Sequence, residues 1–175
     1  MPKVIVIAVG TDATASTLAD AVVEGATGVR FTEVDVRSVN SDAGEGATQP
    51  TRSRVKPLES TEQLADYDGI VIVGATADDG APGAARLMEQ LAAGASDHGY
   101  PNAVFGLLAG DASLLASVAS LGGIIVSEPR GSGDSIGRAK ALGARVAKVA
   151  EWVRHALSHE QQDRTAHKEH VHHHH

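Results

Sequence analysis

The chain has 175 residues, a formal net charge of −7 and no cysteine; that length suits one domain with or without a tail, and the missing thiols exclude disulfides, thiolate catalysis and cysteine-ligated zinc or iron–sulfur centres. The acidic balance and the 3% aromatic content exclude nucleic acid as a main partner, because phosphate neutralisation needs a basic face and unpaired bases need aromatic platforms. Hydrophobic residues make up 42%, enough for an ordinary core, but no apolar run reaches the ~18 residues of a membrane span and no secretory signal precedes Val4, so a soluble, cytoplasmic protein is expected.

In chain order, Val4–Val9 is almost continuously apolar, as is a strand buried on both faces of a parallel sheet. Ser16–Gly25 then places Leu18, Ala21, Val22 and Gly25 on one helical face. Val29–Val36 alternates, which predicts an edge strand. Asn40–Ser60 is polar and rich in Gly, Pro, Ser and Thr, with basic Arg52, Arg54 and Lys56, and reads as a long surface excursion. Gly69–Gly74 is the third strand. Pro82 suits the first turn of a helix running to about Ala93, with Leu87, Met88 and Leu91 facing inward. Ala103–Leu108 is the fourth strand. Asp111 is a natural N-cap for a helix over Ala112–Leu121, and Gly122 a natural stop. Gly123–Val126 is the fifth strand. The last helix is expected from near Asp134 to about Ser158, with Leu142, Val146, Val149, Trp152 and Val153 as its apolar stripe.

Five β–α units joined by right-handed crossovers give an α/β sandwich of three layers, a doubly wound parallel sheet of five strands in the flavodoxin-like order 2-1-3-4-5. Residues 1–158 form this domain, and 159–175 a polar, histidine-rich tail without apolar periodicity. Such sheets bind ligands beyond the carboxyl ends of their strands, where the winding reverses. Here that means the loops after the first, third and fourth strands.

Several stretches resemble the WrbA family of flavodoxin-like NAD(P)H:quinone oxidoreductases. The block Glu62-Gln63-Leu64-Ala65-Asp66-Tyr67-Asp68-Gly69-Ile70 is similar to the family's "ELADYDAI" entry into its third strand. Val22-Val23-Glu24-Gly25-Ala26 is similar to its "AVAEGA" helix end, and the excursion before Glu62 matches its layout. The resemblance covers roughly residues 3–153. It implies FMN at the switch point, hydride transfer from NAD(P)H through the flavin to a quinone, and a homo-oligomer, dimer or tetramer.

The first loop, Gly10-Thr11-Asp12-Ala13-Thr14-Ala15-Ser16-Thr17, supplies Thr11, Thr14, Ser16 and Thr17 for the FMN phosphate, but no glycine inside the loop. It reads equally as a plain helix entry capped by Thr14 or Ser16. In the second loop the resemblance implies Thr76, Ala77 and Gly80 against the flavin ring, and Asp78-Asp79 replaces the family's Arg-Phe pair. The third keeps Gly110 but lacks the family's glycine-rich "STGTGGG". Asp12, Asp78, Asp79 and Asp111 bring negative charge to one sheet edge, where they either repel a phosphate or cap helices. These departures imply weak FMN binding or a catalytically inactive module kept for assembly or partner binding. His155 and His159 share a helix face at a spacing that suits zinc, nickel or copper. The terminal histidines read as a metal-binding tail or as a purification tag.

Overall fold

The valines and isoleucines of the apolar runs sort onto opposite faces of one sheet. The computed structural model describes residues 1–10, 13–39, 55–59, 63–74, 77–108, 112–128 and 133–171. Its elements are β1 (Lys3–Val9), α1 (Ala13–Thr27), β2 (Glu33–Val39), β3 (Lys56–Pro57), β4 (Gly69–Val73), α2 (Ala77–Ala93), β5 (Val104–Leu108), α3 (Ala112–Ser120), β6 (Ile124–Val126) and α4 (Ser135–Val171), with a 3-10 turn at Leu64–Asp66. The described strands form one parallel sheet in the order β3-β2-β1-β4-β5-β6. Side chains alternate along a strand. Val4, Val6, Val71, Val73 and Val104 therefore lie under α1 and α4, while Ile5, Ile7, Ile70, Ile72 and Phe105 meet Leu87 and Leu91 of α2 and Leu114 and Val118 of α3. Helices cover both faces, as a fully parallel sheet requires, in a doubly wound arrangement consistent with a flavodoxin-like fold.

The α1/α4 layer sits unusually close. Val146 of α4 lies over Gly69 of β4 and Gly106 of β5, where added methyl groups would fall 2.9 and 2.7 Å from its two Cγ atoms. The helices also press on each other. A methyl group at Gly25 of α1 would run into the backbone of Lys140, and one at Gly143 of α4 into the backbone of Val22. Lys140 in turn forms an ion pair with Glu24 at 2.8 Å. Asp134 caps α4, its Oδ1 accepting from the Gly137 N–H at 2.8 Å.

Five expectations need correction. The described sheet has six strands, because β3 pairs with β2 through Arg37 and Ser38 and takes the edge position. The five expected strands keep their relative order inside it. β2 starts at Glu33, later than Val29, because α1 runs on to Thr27 and the chain then turns through Phe31, whose φ of 60° is incompatible with a strand. α2 begins at Ala77, five residues before Pro82. α4 does not stop near Ser158 but continues to Val171: residues 159–171 contain no Gly or Pro, and extending an existing helix needs no new nucleus. Trp152 also leaves the expected stripe and is 60% exposed, under Lys148 Nζ at 5.6 Å; Leu142 and Val146 are fully buried, and Val149 and Val153 pack against the same core. No described helix is long and apolar enough to cross a membrane.

Two expected outcomes follow from this packing. Gly143→Ala gains helix propensity but forces α1 and α4 apart, so chemical denaturation should show a net loss of about 1–3 kcal/mol; unchanged stability would contradict the close crossing. Tyr100 is buried, donates its hydroxyl to the Leu91 carbonyl at 2.5 Å and packs edge-on against Phe105 at 5.4 Å. Burial pushes its phenol from 10.0 up to about 12. The folded state therefore holds this proton more tightly than the unfolded state does. Stability from this group is complete below pH 10 and falls as pH rises from 10 towards 12. A Tyr100→Phe variant should lose that slope in denaturation measured across the same range.

Candidate functional site

The winding reverses between β1 and β4. From β1 the chain crosses through α1 to β2 on one side, and from β4 through α2 to β5 on the other. The crevice at their carboxyl ends is built on two glycines. Gly10 follows β1 at φ 94° and donates its N–H to the Val39 carbonyl at 2.9 Å. Gly74 follows β4 at φ 83° and donates to the Leu108 carbonyl at 3.1 Å. Both are left-handed turns that L side chains rarely adopt. Gly74 is also crowded: a methyl group there would stand 2.9 Å from Ala15 Cβ and 3.0 Å from the Val9 carbonyl oxygen. Gly83 of α2 packs over Val9 in the same region, so α2 crosses the end of β1.

The amino end of α1 enters this crevice with backbone N–H groups that have no partner inside the helix. Thr14 and Ser16 are exposed in its first turns. Thr17 is exposed too, and its hydroxyl donates to the Ala13 carbonyl at 3.0 Å along the helix. Ala77 and Gly80, expected in an open loop, belong to the first turns of α2. Thr11, Thr76 and Gly110 lie outside the described residues, as do Asp12 and Asp111. The structure therefore brings Thr14, Ser16, Thr17 and the start of α2 to one edge.

The sequence reading missed Gly10 and Gly74 as the turn-forming pair. Their signal was available: Val4–Val9 and Gly69–Val73 each run directly into a glycine. It also missed the pairing of Glu128, which follows β6, with Arg138 on α4 at 2.6 Å.

A concavity of about 390 Å3 opens at the opposite end of the sheet, lined by Lys3, Glu33, Asp35, Gln63, Asp66 and Tyr67 among others. The Tyr67 hydroxyl donates to Asp35 at 2.7 Å. With three carboxylates against one lysine, it has the wrong charge for a phosphate.

His155 and His159, expected to share a face, do so: their Nε2 atoms stand 3.1 Å apart on exposed turns of α4. Among the described residues no group of three or more His, Cys, Asp or Glu side chains is gathered closely enough to hold a metal ion.

Comparison with protein-family models finds no match, and a search of curated proteins finds none either.

The two glycines differ in a way that can be measured. Gly10→Ala meets no atom within 4 Å and carries only the backbone penalty, about 1–2 kcal/mol. Gly74→Ala adds the clash with Ala15 and Val9 and should cost more in urea denaturation; equal losses would contradict the tight contact at the end of β4.

Proposed function

We propose that this protein is an FMN-dependent oxidoreductase of the NAD(P)H:quinone type, with the flavin phosphate at the amino end of α1. The observation that supports this reading is the placement of exposed Thr14 and Ser16 at the start of α1, just after left-handed Gly10 at the switch point. Anions favour such a terminus because N–H donors and the helix dipole point the same way. The residues present fit the phosphate end of FMN: Thr14 and Ser16 would donate to its oxygens along with the α1 backbone. When bound, FMN supplies the relay of hydride from NAD(P)H to a quinone. The chain's own part is to hold the phosphate, to present a crevice floored by Gly10 and Gly74, and to keep the strand ends fixed relative to α1. A homo-oligomer, dimer or tetramer, belongs to the same reading.

A second reading is a catalytically inactive flavodoxin-like module with weak or no FMN binding, serving in assembly or partner binding. Two observations favour it. The Thr17 hydroxyl is already engaged by Ala13, and winding Ala77 and Gly80 into α2 leaves less free loop to lie against a flavin ring. Titrating FMN into the purified protein while following flavin fluorescence decides between the two. The first reading expects saturable quenching, a roughly fivefold weaker Kd in Thr14→Ala for a lost hydrogen bond of about 1 kcal/mol, and quinone-dependent NAD(P)H oxidation by the loaded protein. No quenching and no turnover would leave the second.

A further inference from the structure

We propose that His155 and His159 form a two-imidazole chelate for a divalent transition metal on the solvent face of α4, a site separate from the crevice and independent of whether FMN binds there. Their Nε2 atoms are 3.1 Å apart, and the rings meet at 4.5 Å between centroids and 88° between planes. With metal–nitrogen bonds of about 2.0–2.1 Å, two donors at that separation subtend about 98° at a shared ion. That lies between the ~90° of a tetragonal site and the ~109° of a tetrahedral one, so the bite suits the imidazole-preferring ions Zn2+, Ni2+ and Cu2+. The present contact is a ring nitrogen facing a ring nitrogen. One imidazole must donate its N–H to the other, and small ring rotations turn both lone pairs towards a common ion once that proton moves to the other nitrogen of its ring.

The backbone holds the pair ready. Both residues lie within continuous helix, one turn apart, and the Ser158 hydroxyl between them is tied to the His155 carbonyl at 2.7 Å. Both side chains are exposed, so an ion reaches them without any opening of the fold, and water completes its coordination. The site also lies where α4 has left the core. Past Val153, only Leu157 is even half-buried among the side chains described. A helix segment without tertiary packing is marginal in water, and an ion bridging successive turns adds the cross-link it lacks. Metal binding is therefore coupled to the helicity of this segment.

The test uses the full chain and Ni2+ as the probe, with two readouts: calorimetric stoichiometry and affinity, and far-ultraviolet helical signal. To separate the pair from the distal histidines, His167, His170, His172, His173, His174 and His175 are all replaced by glutamine. This variant is expected to retain one Ni2+ per chain and a gain of helical signal on binding. Adding His155→Ala, or His159→Ala, should weaken binding at least about tenfold, because one of two protein ligands is lost, and should abolish the helical gain. These exposed substitutions leave the core untouched, which an unchanged denaturation midpoint without metal verifies. Failure of the six-glutamine variant to bind Ni2+, or equal affinity with and without His155, overturns the proposal.

Discussion

The narrowness of one sheet face governs this molecule. On the side of α1 and α4 the strands present Gly69, Val71, Val73, Val104, Gly106, Val4 and Val6; on the other, Ile5, Ile7, Ile70, Ile72 and Phe105. Small residues let Val146 rest almost on the sheet backbone. They bring α4 low enough for Gly25 and Gly143 to meet the facing helix backbones. Dispersion contacts are individually weak but depend steeply on distance, so this closeness makes the α1/α4 layer a rigid support. The start of α1, fixed in that layer, meets the ends of β1 and β4 in a defined position.

Much of this was legible in the sequence. Continuous apolar runs identified the inner strands β1, β4 and β5 within a residue or two, since burial on both faces removes the need for polar alternation, and they also found β6, although it lies at the sheet edge and is only partly buried. The errors have local causes. Val29–Val36 alternates convincingly, but alternation says nothing about where the preceding helix ends, and Phe31 in a left-handed conformation moves the strand start to Glu33. Lys56–Pro57 carries no strand signal at all: two residues pairing at an edge leave no periodicity to detect. Pro82 suggested a helix start because proline favours first turns, yet the helix begins earlier. Trp152 looked like core by spacing from Val149, but at about 100° per residue it falls on the margin of the stripe that Val146, Val149 and Val153 define.

The crevice was legible in kind and not in detail. The β–α order locates a switch point wherever such a sheet is wound, and hydroxyls after the first strand mark a helix entry suited to an anion. Hydrogen-bond commitments could not be read in advance. Whether Thr17 offers its hydroxyl outward or to Ala13 depends on helix geometry that one-dimensional spacing does not carry.

The single tryptophan sits at a seam. Val153 beside it packs against the core, while past it the side chains described, Leu157 apart, are exposed, and α4 itself continues to Val171. At 1.5 Å per residue, this 37-residue helix is about 55 Å long, more than twice the ~23 Å of a seven-residue strand. Indole emission therefore reports neither the interior nor the free end of the helix but the joint between them. Fraying that stops short of Trp152 leaves its fluorescence unchanged while helical ellipticity falls. The gap between those two optical transitions measures how far the helix has unwound before the body of the protein begins to open.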